Sequence, residues 1–107
     1  MDKKELINQY KSRVKIGGVY AIKNELLNKW YVDVTPDLAA AENRFKFFGS
    51  TQMKVEQDYK AQNGEGFLFE VLEELEKGET QSDKEFKADL AVLREIWLEK
   101  LSGQELY

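Results

Sequence analysis

The sequence predicts an α+β fold: a small, mainly antiparallel three-stranded sheet, made of a β-hairpin and one later strand, flanked by helices, with an added N-terminal helix. Three observations carry this. Residues 18–24 and 29–35 are short, rich in aromatic and β-branched types, and joined by a link short enough for a hairpin. FLFEVLEEL at 67–75 is a near-continuous apolar run suited to a strand covered on at least one face. The other long stretches space their apolar residues by three and four, the period of a helix packed on one side. A chain of 107 residues holds one such domain, and no linker or internal repeat divides it.

Residues 2–13 read as a short docking helix, with Leu6, Ile7 and Tyr10 at one-turn spacing. Gly17-Gly18 breaks it and allows a sharp entry into the first strand. There Val19 and Ala21, with the stem of Lys23, face one way, and Tyr20 and Ile22 face the other. The link NELLN carries Leu26-Leu27, which either pack back or stand exposed as a contact point. KWYVDVT is the second strand. Thr35-Pro36-Asp37 then starts a helix, with Thr35 as N-cap, Pro36 at the first helical position and Asp37 in the first turn. Leu38, Ala41, Phe45 and Phe48 form its core face, and Gly49 ends it. A second amphipathic helix sets Met53 (or Val55) and Tyr59 on one side and stops at Asn63-Gly64. After the third strand, Ser82 with Glu85 makes a capping box for a last helix lined by Phe86, Leu90, Leu93 and Trp97, with Ile96 and Leu101 beside them.

Composition narrows the chemistry. With no cysteine and no histidine, thiolate nucleophiles, cysteine-ligated zinc and an imidazole base are all excluded. No apolar run approaches a membrane span, and the charged start DKKE lacks the apolar segment of a secretory signal, so a cytoplasmic location without membrane contact is expected. Charge is uneven: residues 1–60 carry eleven Lys/Arg against eight Asp/Glu, and residues 61–107 five against twelve. The five glutamates between Glu70 and Glu79 would repel DNA, so only the first half offers even a sparse basic face.

Gly18-Val19-Tyr20 and Tyr31-Val32-Asp33, with ten residues between the tyrosines, resemble the paired signature of the GIY-YIG nuclease superfamily. The resemblance extends along almost the whole chain: hairpin, NRFKF helix, a helix ending at Asn63-Gly64, a third strand and a tryptophan-containing helix. The added N-terminal helix and the Asn43-Arg44 pair are similar to bacterial single-domain members. It implies DNA as a partner, and phosphodiester cleavage in which a tyrosine helps activate water, an arginine stabilises the phosphate and a glutamate holds one divalent metal, Mg or Mn. Tyr20 and Tyr31 match the motif tyrosines. Asp33 stands where the motif has glycine, and Ala41 where the arginine is expected, with Arg44 about one turn further. Arg94 stands where the metal glutamate is expected, and Glu95 is its neighbour, about 100° round the helix. The candidate site is therefore Tyr20, Tyr31 and Arg44 as catalytic groups and Glu95 as metal ligand, in a nuclease-like domain whose activity is lost or much reduced. The alternative is a non-catalytic nucleic-acid-binding or protein-interaction module that kept the fold. On the residues alone, Tyr20 and Tyr31 also fit half-buried sheet aromatics, Arg44 a solvated charge, and Asp33, Glu42 and Glu95 surface carboxylates.

Overall fold

The computed structural model describes residues 16–46 and 53–107. The helix expected over 2–13, and the expected roles of Phe48 and Gly49, lie outside them. Three strands, β1 (Ile16–Asn24), β2 (Lys29–Thr35) and β3 (Phe67–Glu76), form one antiparallel sheet in the order β2-β1-β3. Three helices complete the described chain: α1 (Leu38–Phe45), α2 (Lys54–Ala61) and α3 (Asp83–Lys100).

The period-2 alternation of β1 sorts the side chains into two cores. Tyr20 and Ile22 face α1 and α2, packing with Leu38, Ala41, Val55 and Phe67. Val19, Ala21 and Val32 face the other way, toward Leu93, Trp97, Leu98 and Leu101. A strand buried on both faces explains why β1 has almost no polar residue before Lys23. The Lys23 stem lies on the Val19 side, with its ammonium 4.1 Å from the Trp30 ring centroid and paired to Glu70.

The first strand starts earlier than expected, at Ile16, so Gly17 joins Gly18 within it. A Cβ on Gly18 (φ +155°) would fall 2.0 Å from the Glu73 carbonyl oxygen, so β3 approaches here only because no side chain stands in the way. The ladder slips at this point: Val19 opposes Glu73 and Tyr20 opposes Val71, leaving Leu72 as the extra residue of a bulge. Trp97 Nε1 donates to Glu73 Oε1 at 2.8 Å, tying the bulge to α3.

The N-cap of α1 is Asp37, not Thr35. Thr35 is still paired with Gly18 in the β ladder, so its backbone cannot begin the helix. Its hydroxyl accepts the Asp37 N–H at 3.1 Å, and Asp37 Oδ1 accepts the Ala40 N–H at 3.2 Å. The capping box of α3 is formed as the sequence indicates, Ser82 Oγ accepting the Glu85 N–H at 3.1 Å. On α2 the core residue is Val55, while Met53 is exposed. Leu26 and Leu27 are exposed at the hairpin turn, where Asn24 Oδ1 accepts the Leu27 N–H and Asn28 takes the left-handed conformation (φ 51°).

Beyond α3 the chain returns to the outer edge of β2. Trp30 N–H donates to the Glu105 carbonyl at 3.0 Å, and Tyr107 N–H to the Trp30 carbonyl at 2.8 Å. Its last side chain then crosses to the α2 side: Tyr107 Oη donates to Asp58 Oδ2 and accepts from Asn24 Nδ2, both at 2.9 Å. No described helix is long and apolar enough to cross a membrane.

Candidate functional site

Tyr20 and Tyr31 share one face of the sheet. Tyr20 on β1 opposes Asp33 on β2, and Tyr31 lies two residues from Asp33, so alternation turns all three toward α1. Tyr20 is 4% exposed and its ring stacks on Phe69, with centroids 5.1 Å apart. Tyr31 is half-buried against the same core. The ring of each is thus a core component, and only the hydroxyl end is available for chemistry.

Ala41, ten residues past Tyr31, is buried in the core with Leu38, where a longer charged side chain would displace its neighbours. Arg44, one turn on, lies at the exposed end of α1, and its charge acts on the Tyr20 hydroxyl.

Asp33 joins the two tyrosines electrostatically. The Tyr31 hydroxyl donates to Asp33 Oδ2 at 2.8 Å, and Oδ1 accepts the Val34 N–H at 2.8 Å. Arg94, reaching from α3 on the far side of the sheet, places Nε 3.8 Å from Asp33 Oδ1. Asp33 is therefore no simple surface carboxylate: its side chain is 36% exposed and committed to named partners. The i, i+2 spacing of Tyr31 and Asp33 on one strand was the available signal for the first contact. Nothing local signals the second.

These surroundings act on the phenols. Burial pushes the Tyr20 hydroxyl above its ordinary range, with the Asp33 charge adding to it, while the charge and hydrogen bond of Arg44 pull the other way without cancelling the rise. Tyr31 is pushed up much further, by burial first, then by its hydrogen bond to Asp33 and the charge of that carboxylate. Both are neutral phenols across the physiological range. They can donate or accept hydrogen bonds, but neither is poised to take a proton from water.

Glu95, the candidate metal ligand, does not join this group. Its side chain is 74% exposed, and its nearest charged partner is Arg94, with Nη1 3.7 Å from Oε1. Arg94 thus pairs with both Glu95 and Asp33. Among the described residues, no cluster of three or more acidic side chains could hold a metal ion. A permanent cation beside both carboxylates does not fit a divalent ion.

No family model matches the chain, and neither the curated proteins nor the solved structures contain a significant match to it.

Proposed function

We propose that the chain is a GIY-YIG-like domain, cytoplasmic and of bacterial type, in which phosphodiester hydrolysis is lost or much reduced. The observation that carries this is the Asp33 carboxylate, hydrogen-bonded to Tyr31, opposite Tyr20 and paired with Arg94. A water attacking a phosphodiester must lose a proton, and the base that the resemblance implies in this site is a tyrosine phenolate. Burial and Asp33 act against that phenolate at both tyrosines. The same carboxylate repels an incoming phosphate. Arg44, close to Tyr20, keeps the forked donor suited to a phosphate oxygen, which supports a residual, salt-sensitive contact with DNA. Asp33 and Glu95, each beside the Arg94 guanidinium, do not fit Mg or Mn.

Loss of one preorganised stabiliser of the transition state typically lowers a rate by ~10²–10³. With base activation impaired as well, cleavage should fall below detection. Supercoiled plasmid incubated with the protein and Mg²⁺ or Mn²⁺, beside a Tyr20→Phe variant, tests this. Unchanged plasmid is expected. Robust nicking that disappears in the variant would overturn the reading.

A second reading, a protein-interaction module on the same fold, is favoured by one surface observation. Val92 and Ile96, one turn apart on α3, are 60% and 43% exposed. Absence of DNA binding even at low salt would favour this reading over the first.

A further inference from the structure

The two edges of the sheet differ. On β2, the backbone groups of Trp30 are taken up by Glu105 and Tyr107. From Leu68 to Glu76, the outer edge of β3 has no backbone partner among the described residues. The phase of the ladder decides which groups this leaves. Glu25 N–H donates to the Gly66 carbonyl at 2.8 Å, one pair beyond Asn24 and Phe67. Bonding alternates along an antiparallel pair, so Leu68 and Glu70 turn their backbone groups to β1, while Phe69 and Val71 turn theirs outward.

The side chains of this edge are sorted as well. Phe69, Val71, Glu74 and Glu76 oppose Ile22, Tyr20, Gly18 and Ile16, so alternation sets all four on one face. From Phe69 to Glu76 that face passes from apolar to acidic. Val71 is 40% exposed. Glu74 and Glu76 are exposed, and neither is in an ion pair among the described residues. Glu70 and Glu73, by contrast, are engaged by Lys23 and Trp97. A second copy of the chain would bring a second set of glutamates to the same edge, a like-charge contact.

We propose that the outer edge of β3 docks an extended basic segment of another protein, which joins the sheet as a fourth strand. Its β-branched residues lie beside Phe69 and Val71, and its lysines or arginines beside Glu74 and Glu76. Backbone hydrogen bonds at Phe69 and Val71 supply the affinity, and the acidic end selects the partner. The inference goes beyond the nuclease-like reading and does not rest on it, since docking asks nothing of Tyr31, Arg44 or Arg94.

The probe is a synthetic peptide with alternate lysines in its first half and alternate valines in its second, the order an antiparallel partner requires. Titrated into the full chain at low salt, it should bind and protect the Phe69 and Val71 amides from hydrogen exchange. The same peptide N-methylated at alternate residues cannot hydrogen-bond to an edge, and should bind about tenfold more weakly. Glu74→Gln combined with Glu76→Gln should weaken the unmodified peptide about fivefold. Val71→Pro should abolish binding while keeping the fold, because the Val71 N–H lies outside the ladder to β1. Where Val71→Pro lowers the urea midpoint, the N-methylated peptide decides the same point on the original chain. Equal binding of the N-methylated peptide would reduce the contact to charge attraction and overturn the proposal. No binding of the unmodified peptide, or binding unchanged by the two glutamine substitutions, would overturn it as well. So would Phe69 and Val71 amides already protected in the free chain, since the edge is then covered. Protection that rises with concentration would assign the cover to a second copy, and constant protection would assign it to the chain itself. Plasmid nicking bears on the nuclease-like reading alone.

Discussion

Tyr31 is where the chemistry of the site is most open to a direct reading. Its phenol is held protonated by burial and by the Asp33 carboxylate it donates to, so its pKa in the folded chain lies above the unfolded value of about 10. The folded state therefore holds this proton more tightly than the unfolded state. The corresponding stability is fully present below about pH 10 and is lost as pH rises through the folded pKa. Urea midpoints should be flat from neutral pH to about pH 9 and fall steeply above pH 10. Tyr31→Phe should be less stable at neutral pH by about 1 kcal/mol, the usual worth of such a hydrogen bond, with a shallower alkaline fall. An alkaline fall as steep in Tyr31→Phe as in the original chain would assign the titration to other groups.

At the scale of elements, the contact between β1 and β3 depends on what Gly18 lacks. The Glu73 carbonyl occupies the space of a Cβ, and the bulge at Leu72 lets β3 pass this point while keeping Glu73 turned toward Trp97. The obstacle to a methyl group is backbone, which cannot swing aside as a side chain would. Gly18→Ala should cost about 3 kcal/mol or more, the upper range of overpacking, and show as a lowered urea midpoint or as loss of soluble protein. A midpoint within about 0.5 kcal/mol of the original would mean that the sheet opens there at little cost. The outer face of this element has its own protection. Leu68 and Val71 are exposed on β3, yet Glu70, Glu73 and Glu74 stand among them and oppose pairing with a second copy.

At the scale of the whole molecule, Tyr107 ties separate parts of the fold together. Asn24 is 0% exposed at the end of β1, and its amide is satisfied by Gln62 and by the Tyr107 hydroxyl, which also reaches Asp58. One phenol thereby joins the sheet, α2 and the segment that covers the β2 edge. Tyr107→Phe keeps the ring packing and removes both hydrogen bonds, which should lower stability by about 1–2 kcal/mol, measured by urea unfolding. Equal stability would mean that Gln62 and water satisfy Asn24 by themselves.

Short-range physics was legible in the chain. Alternation set Tyr20 and Ile22 against Val19 and Ala21, helical spacing marked Leu38, Ala41, Phe86 and Leu90 as inward, and the capping box at Ser82 needed only its own four residues. Each depends on neighbours within a turn or a strand, whose geometry is nearly independent of the rest of the fold. The tertiary structure decided the remainder. Thr35 gave up the N-cap because Gly18, on another strand, held its backbone in the ladder, and the strand reached back past Gly17 to Ile16 because other backbone packed where side chains would have been. Asp33 became the centre of the site only when α3, crossing the opposite face, brought Arg94 round to it. Such a contact depends on ladder register and on where α3 crosses the sheet. No periodicity within a single segment encodes either.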